Sequence, residues 1–433
     1  MDRSAHRWKT VLHRWSLLLL ALPIAAPVAG QDAGRAASLR AERLVKAADL
    51  RPPESPGRLE RLFGRAERRV VGGGGPTGIF GFSPIAGGLK PGAGLSGGVR
   101  FAPFSPDRGL LVEADAVAGT RRYWSVSGRA GYRTARHAVL GYARHWHLAG
   151  ERFYGRGPNS NRDDRSEYRL DESVAGSLFH LSIGAGFQVG GRAAYQVARP
   201  GPGRDADVPD AVDTFSGEVP SLLADSRHVA AGGWIAIDRR DPGLGSDGMH
   251  ASLQALTPTE MDISGMPLAT DRGVYAKVEL THYVGVGGTP YDLSRLVAQS
   301  QQYVPFRRGR NVFAFREYLA LTGADAEHVP IFMMPTLGGA YTLRGYELFR
   351  FSDRSAFLFN AEYRWQIWHL LDMALFLDAG QVFSEARDLS FGHLHVSYGV
   401  GIRLRAFDRG IGRIDLGRSE EGTQIHVRLG TTF

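Results

Sequence analysis

Three groupings in this sequence bring reactive side-chain types close enough together for chemistry. Gly94-Leu95-Ser96-Gly97-Gly98 approaches the G-x-S-x-G pattern of a nucleophilic serine, which works only on a sharp strand-to-helix turn. Here it sits in a glycine-rich stretch that reads as strand, so acyl transfer is not expected and the chain does not read as an enzyme. His145-Trp146-His147 and His393-Leu394-His395 each put two imidazoles on one strand face, a spacing that a metal site could use. No carboxylate cluster supports either pair and the chain has no cysteine, so neither a metal nor a cofactor is expected. Asp163 and Asp164, with Asn159 and Asn161, could attract a cation, although a solvated loop explains them as well.

The elements that carry these residues repeat with a period of two from about Leu89 onward. In Phe357–Trp368 the residues Phe357, Phe359, Ala361, Tyr363, Trp365 and Ile367 point one way, against Asn360, Glu362, Arg364 and Gln366. Val396, Tyr398, Val400, Ile402 and Leu404 repeat the pattern against Ser397, Gly399, Gly401, Arg403 and Arg405. Met373, Leu375, Leu377 and Ala379 do so less cleanly. Tyr and Trp toward one end of an apolar face are what lipid-facing strands carry at the bilayer interface. Ile425, Val427, Leu429, Thr431 and Phe433 close the chain in the same alternation. The count is about sixteen strands, weakest between Ala251 and Phe306 where alternation is poor. Tight connections such as Arg307–Arg310 alternate with long polar ones, Gly155–Glu167, Pro200–Arg227 and Asp325–Arg354. Short turns on one side and long loops on the other imply an all-β, transmembrane antiparallel barrel.

Composition agrees with that class. There are 56 glycines in 433 residues, well above the ordinary ~7% and without a collagen period, which suits tight turns and small lumen-facing positions. Arg3, Arg7, Lys9 and Arg14, the apolar run Leu17–Val28 and the small pair Ala29-Gly30 have the order of a cleavable signal peptide, expected to span 1–30. The net charge of +8 falls once that segment is removed, and no basic stripe with interleaved aromatics indicates nucleic acid. Residues 31–85 read as a periplasmic helical segment and a glycine-rich joint, with the barrel at 86–433. Within Pro56–Val70, Leu59, Leu62, Phe63, Ala66 and Val70 share one helical face, as in a helix lying on a membrane surface or against a barrel mouth. A partly disordered leader accounts for the same residues.

Gly338-Gly339-Ala340-Tyr341-Thr342-Leu343-Arg344-Gly345-Tyr346 resembles the Arg-Gly-Phe/Tyr signature in the sixth extracellular loop of the BamA/TamA-type (bacterial surface antigen) family of outer-membrane barrels. Leu377–Phe383, Tyr398–Arg405 and Arg413–Gly417 are also similar to family segments, as are Asp238–Pro242 with Gly248 and Phe153–Asn159. The C-terminal strand, with Ile425, Val427, Leu429 and the terminal Phe433, resembles the barrel-assembly signal. The resemblance implies that the loop folds into the lumen and that Arg344 meets acidic residues on the wall. The strand registers place Glu362 and Asp378 on the lumen side of adjacent strands. Gly345 would let the backbone turn sharply there.

The resemblance further implies a bacterial outer-membrane location and a role in inserting proteins, or moving chains or lipids, at that membrane. It implies a weak seam between first and last strands, for which glycine-rich Leu89–Val99 is a fitting first strand. Expected partners are outer-membrane lipids and lipopolysaccharide, unfolded outer-membrane protein clients, and the assembly machinery that inserts the barrel itself. The family's periplasmic POTRA domains have no counterpart in the helical reading of 31–75. A passive pore or structural barrel plugged by loop six is the alternative.

Overall fold

The computed structural model describes residues 81–86, 89–104, 109–134, 136–240, 270–307, 311–324, 329–368, 371–406 and 409–429. Among the described residues sixteen strands form one antiparallel sheet in which each strand pairs with its neighbour along the chain. They are β1 (Phe82–Ala86), β2 (Ser96–Phe101), β3 (Leu110–Gly119) and β4 (Trp124–Arg133). The longest follow: β5 (His137–Phe153), β6 (Ser166–Gly184), β7 (Phe187–Pro202) and β8 (Ser226–Asp238). Next are β9 (Gly273–Gly285), β10 (Leu293–Phe306), β11 (Asn311–Gly323) and β12 (Ser355–Trp368). The sheet ends with β13 (Leu371–Phe383), β14 (His395–Ala406), β15 (Arg409–Ser419) and β16 (Gly422–Leu429).

Side chains alternate across this wall as a barrel in lipid requires. On β12, Leu358, Asn360, Glu362 and Arg364 are buried inside, and Phe357, Phe359, Tyr363 and Trp365 lie on the outer face. Leu375, Leu377, Val396, Tyr398, Val400, Ile414 and Leu416 continue that outer face and stay exposed. Outside, lipid takes the place of water, so exposed apolar side chains are stable there and polar ones need partners. Phe306 stacks on Phe313 and Tyr363 on Trp365, with Phe313 tilted against Tyr363, near the end that carries the tight turns. Loop six runs from the end of β11 to the start of β12. Within it, Thr336-Leu337 and Phe351-Ser352 pair as a two-residue ribbon.

Two expectations about the strands need correction. The first strand is Phe82–Ala86, inside the stretch assigned above to the N-terminal segment. Leu89–Val99 is no single strand: residues 89–95 form a turn and only Ser96 onward is extended. Gly92 and Gly94 there have φ of +103° and +77°, which takes the chain out of the sheet. His393 lies in a short 3-10 turn, Phe391–His393, so it does not share a strand face with His395. The signal segment, the amphipathic positions Leu59, Leu62, Phe63, Ala66 and Val70, the stretch Asp241–Gly248 and Phe433 lie outside the described residues. So does the side chain of Leu429.

Candidate functional site: the loop-six clasp

Gly338 and Gly339 begin the turn that carries Arg344, with φ of +117° and +90°. The backbone N–H of Gly339 donates to the carbonyls of Leu343 and Tyr346, which curls residues 339–346 into a compact knot. Leu337, Leu343, Tyr346 and Phe351 pack with Tyr318, Leu358 and Val382 of the inner wall, so an apolar footing fixes the knot before any charge is placed.

Arg344 is then aimed at the wall. Its Nε donates to Asp378 Oδ2 at 2.9 Å and its Nη2 to Asp378 Oδ1 at 2.6 Å, a two-pronged match of fork to carboxylate. Its backbone N–H also donates to Asp378 Oδ2, at 3.0 Å. Nη1 donates to Glu362 Oε1, and the guanidinium lies 3.6 Å from the centroid of the Phe376 ring. Arg344 is 2% exposed and Asp378 is fully buried. Burial alone would lower the Arg344 pKa, but Asp378 and Glu362 outweigh it and hold the pKa above that of a free arginine.

The three residues expected from the sequence therefore meet, but they form only the centre of a larger network. Glu362 also accepts from Arg403 Nη2 at 3.0 Å and from Arg364 Nε at 2.8 Å. Arg403 passes the link on to Asp415 Oδ1 at 2.6 Å, and Arg413 lies 3.2 Å from the other Asp415 oxygen. Asp378 accepts two further bonds, from Asn360 at 2.8 Å and Ser397 at 3.2 Å. A buried charge is tolerable only when paired and hydrogen-bonded, and this lattice provides both. The period of two places Asn360, Arg364, Ser397 and Arg403 on the polar face of their strands. Arg413 and Asp415 are clasp residues beyond those expected, and their alternation with Ile414 and Leu416 is the signal that marks them.

Loop six also grips the last hairpin. His426 Nε2 lies 3.0 Å from the Arg344 carbonyl, Ser419 Oγ donates to the Gly345 carbonyl at 2.7 Å, and Arg413 donates to the Ala340 carbonyl. The Arg428 guanidinium stacks 3.5 Å from the Tyr341 ring. Gly345 itself does not have a positive φ. Its need for glycine is space, because a Cβ there would come within 2.6 Å of the Arg418 backbone and 2.7 Å of Ser397 Cβ.

At the outer end, Glu347 accepts from Arg162 at 2.6 and 2.9 Å and from the Tyr154 hydroxyl at 2.9 Å. Burial would raise the pKa of this carboxyl, but Arg162 and Tyr154 more than offset it and hold it below the usual carboxylate range. Arg350 joins Glu421 at 2.8 Å to Ser160, donating to the Ser160 carbonyl at 2.6 Å. Thus the family-like segment Phe153–Asn159 and its continuation to Arg165 form the lid partner of loop six. The histidine pairs are otherwise engaged. His145 and His147 point outward against Trp124, bonded to Ser173 and Asp171, and His395 stacks on Phe351. Ser96 opens strand β2 with no helix behind it. Among the described residues no cluster of three or more potential metal ligands occurs.

A sixteen-stranded antiparallel wall, apolar outside and charged inside, with its sixth long connection clasped in the lumen, defines an outer-membrane β-barrel. Residues 245–433 match the Omp85 superfamily domain. The fold is similar to that of BamA from Haemophilus ducreyi lacking POTRA domains 1–3, at a TM-score of 0.54 and 14% identity, covering 81% of this chain and 69% of that one. Weaker likenesses, at TM-scores of 0.45 and 0.44 and 10% identity, link 77% and 81% of the chain to CdiB from Acinetobacter baumannii and from Escherichia coli. The chain spans 56% and 60% of those two proteins. No curated protein matches in sequence.

Proposed function

We propose that this barrel assists the insertion of proteins, or the passage of chains or lipids, at the bacterial outer membrane. The observation that carries the proposal is the Arg344 clasp, which ties loop six to the inner faces of β12 through β16, as far as the last strand of the sheet. Among the described residues β1 spans 5 and β16 spans 8, against 19 in β6. A terminal strand is held through one ladder, so an incoming strand can compete for its edge, and in lipid that edge demands a partner. In this reading Leu343, Arg344, Gly345 and Tyr346, with Glu362 and Asp378, brace the β12–β16 side of the barrel while the edge exchanges. Ile425, Val427, Leu429 and Phe433 would serve the barrel's own assembly. The face formed by Leu59, Leu62, Phe63, Ala66 and Val70 would stand in for client capture. Unfolded outer-membrane proteins, lipids and lipopolysaccharide are the partners this activity would meet.

The same clasp would plug a passive pore. One experiment separates the two readings. The purified protein in liposomes is given a denatured small outer-membrane protein, and the folding rate of that client is compared with empty liposomes. Acceleration that Arg344→Ala loses supports the assembly reading. No acceleration, with release of trapped small solutes, overturns it in favour of the pore.

A further inference from the structure

One polar cluster faces the wrong way for a barrel in lipid. On β11 the inward residues are Ala314, Arg316 and Tyr318, so Glu317 points out. It sits at mid-strand, with Phe313 and Phe315 on one side, Leu319 and Leu321 on the other, and Phe359 of β12 opposite. Across the other edge Ser300 of β10 is its register partner. Ser300 Oγ donates to Glu317 Oε2, and Gln302 Nε2 donates both to that oxygen and to Ser300 Oγ, each at 2.9 Å. Other outward-facing charges, such as Arg169, Asp171, Arg199, Arg227 and Arg418, lie toward the strand ends. Glu317 lies in the apolar band itself.

An acidic group at that depth is costly, and ionisable residues inside membranes ordinarily face a protein interior or pair with one another. Ser300 and Gln302 supply hydrogen bonds to Glu317 but no opposing charge, and among the described residues no Lys or Arg pairs with it. The donors of the triad are spent on one another. The hydroxyl goes to Glu317 and the amide to Glu317 and Ser300, which leaves acceptor capacity on Glu317 Oε1 and Gln302 Oε1. Ala276 and Ala298, the outward neighbours of Ser300, are small, so a partner's backbone can approach closely there.

We propose that the Glu317–Ser300–Gln302 triad is an intramembrane docking site for a bilayer-spanning segment of another protein that presents a hydrogen-bond donor, cationic by preference, at mid-depth. Charge and hydrogen-bond complementarity choose that occupant. A second copy of this patch would bring acceptor to acceptor, and lipid headgroups do not reach this depth. The site is on the outer wall, so it does not depend on loop six or on the assembly activity.

The test uses the full chain in liposomes, carrying one fluorophore, with synthetic leucine-rich transmembrane peptides carrying the other. One peptide has a central lysine and its control has leucine there. Energy transfer should report association of the lysine peptide roughly tenfold stronger than the control, the size expected for one or two intramembrane hydrogen bonds. That preference should vanish in Glu317→Leu and shrink in Gln302→Leu. Both variants remove polar groups from a lipid-facing surface and should keep the heat-modifiable mobility of the folded barrel. Equal binding of the two peptides, or a preference that survives Glu317→Leu, overturns the proposal. Transfer between labelled barrels that is lost in Glu317→Leu, without any peptide preference, overturns it in favour of self-association.

Discussion

Arg344 brings a full charge into a site closed to water, and the cost of that charge is met by Asp378 and Glu362 together. Removing the arginine would leave buried Asp378 with only the neutral donors Asn360 and Ser397, while Glu362 keeps Arg403 and Arg364. Arg344→Ala should therefore lower the barrel's unfolding free energy by roughly 3–5 kcal/mol, the range for breaking a buried pair from one side. Chemical denaturation in detergent, followed by the mobility of the folded band, measures it. Arg344→Lys should recover only part of the loss, because an ammonium cannot match both Asp378 oxygens in the plane of a fork. Gly345→Ala fails for a steric reason and should cost about 1–3 kcal/mol, as overpacked sites do. A Cβ there meets the Arg418 backbone, which a rotamer change cannot relieve. Its readout is faster protease cleavage within loop six, with the strands still protected.

Loop six behaves as an element with two fastenings, a buried one at Arg344 and a partly exposed one at Glu347. The second depends on pH. Glu347 has a depressed pKa in the folded state, so the stability it adds is fully present above the ordinary carboxylate range. That stability is lost as pH falls through the folded value. Acidification should loosen residues 347–354 before the Arg344 knot, and Glu347→Gln should remove most of this pH response. Amide exchange of the loop at neutral and acidic pH would measure it, and an unchanged response in the variant would count against the fastening. The strands of this region were legible because lipid outside and charge inside impose a period of two. β10 is poorly legible because Ser294, Ser300 and Gln302 interrupt Leu296, Val304 and Phe306 on its outward face, so the alternation is diluted. β1 is hard to read from sequence because Phe82–Ala86 is short and contains Pro84. Glu362 and Asp378 could be placed from register and resemblance. The role of Asp415 could not, because its reach to the clasp runs through Arg403 on a neighbouring strand, a tertiary fact that no strand pattern encodes.

At the scale of the molecule, the clasp makes the last five strands and loop six one mechanical body. If the edge of β16 exchanges partners during assembly, loop six should travel with it and stay seated. Because the chain has no cysteine, introduced pairs report only on themselves. Tyr341→Cys and Arg428→Cys, joined by a short bismaleimide, should leave the client-folding rate close to that of the uncoupled double variant. Abolition of activity by the cross-link would mean that the loop must leave the lumen.

The fastenings of the cap also order events in time. Arg162 meets Glu347 across 185 residues of chain and the Glu421 carbonyl across 259, and His395 meets the Pro158 carbonyl across 237. Contacts between such distant parts of the chain are entropically late, because every intervening strand must be in place before they reward closure. Seating of loop six is thus a completion mark: a barrel still missing its final hairpin has an unfastened, protease-sensitive loop. Quality-control proteases could tell it from a finished barrel by that loop alone.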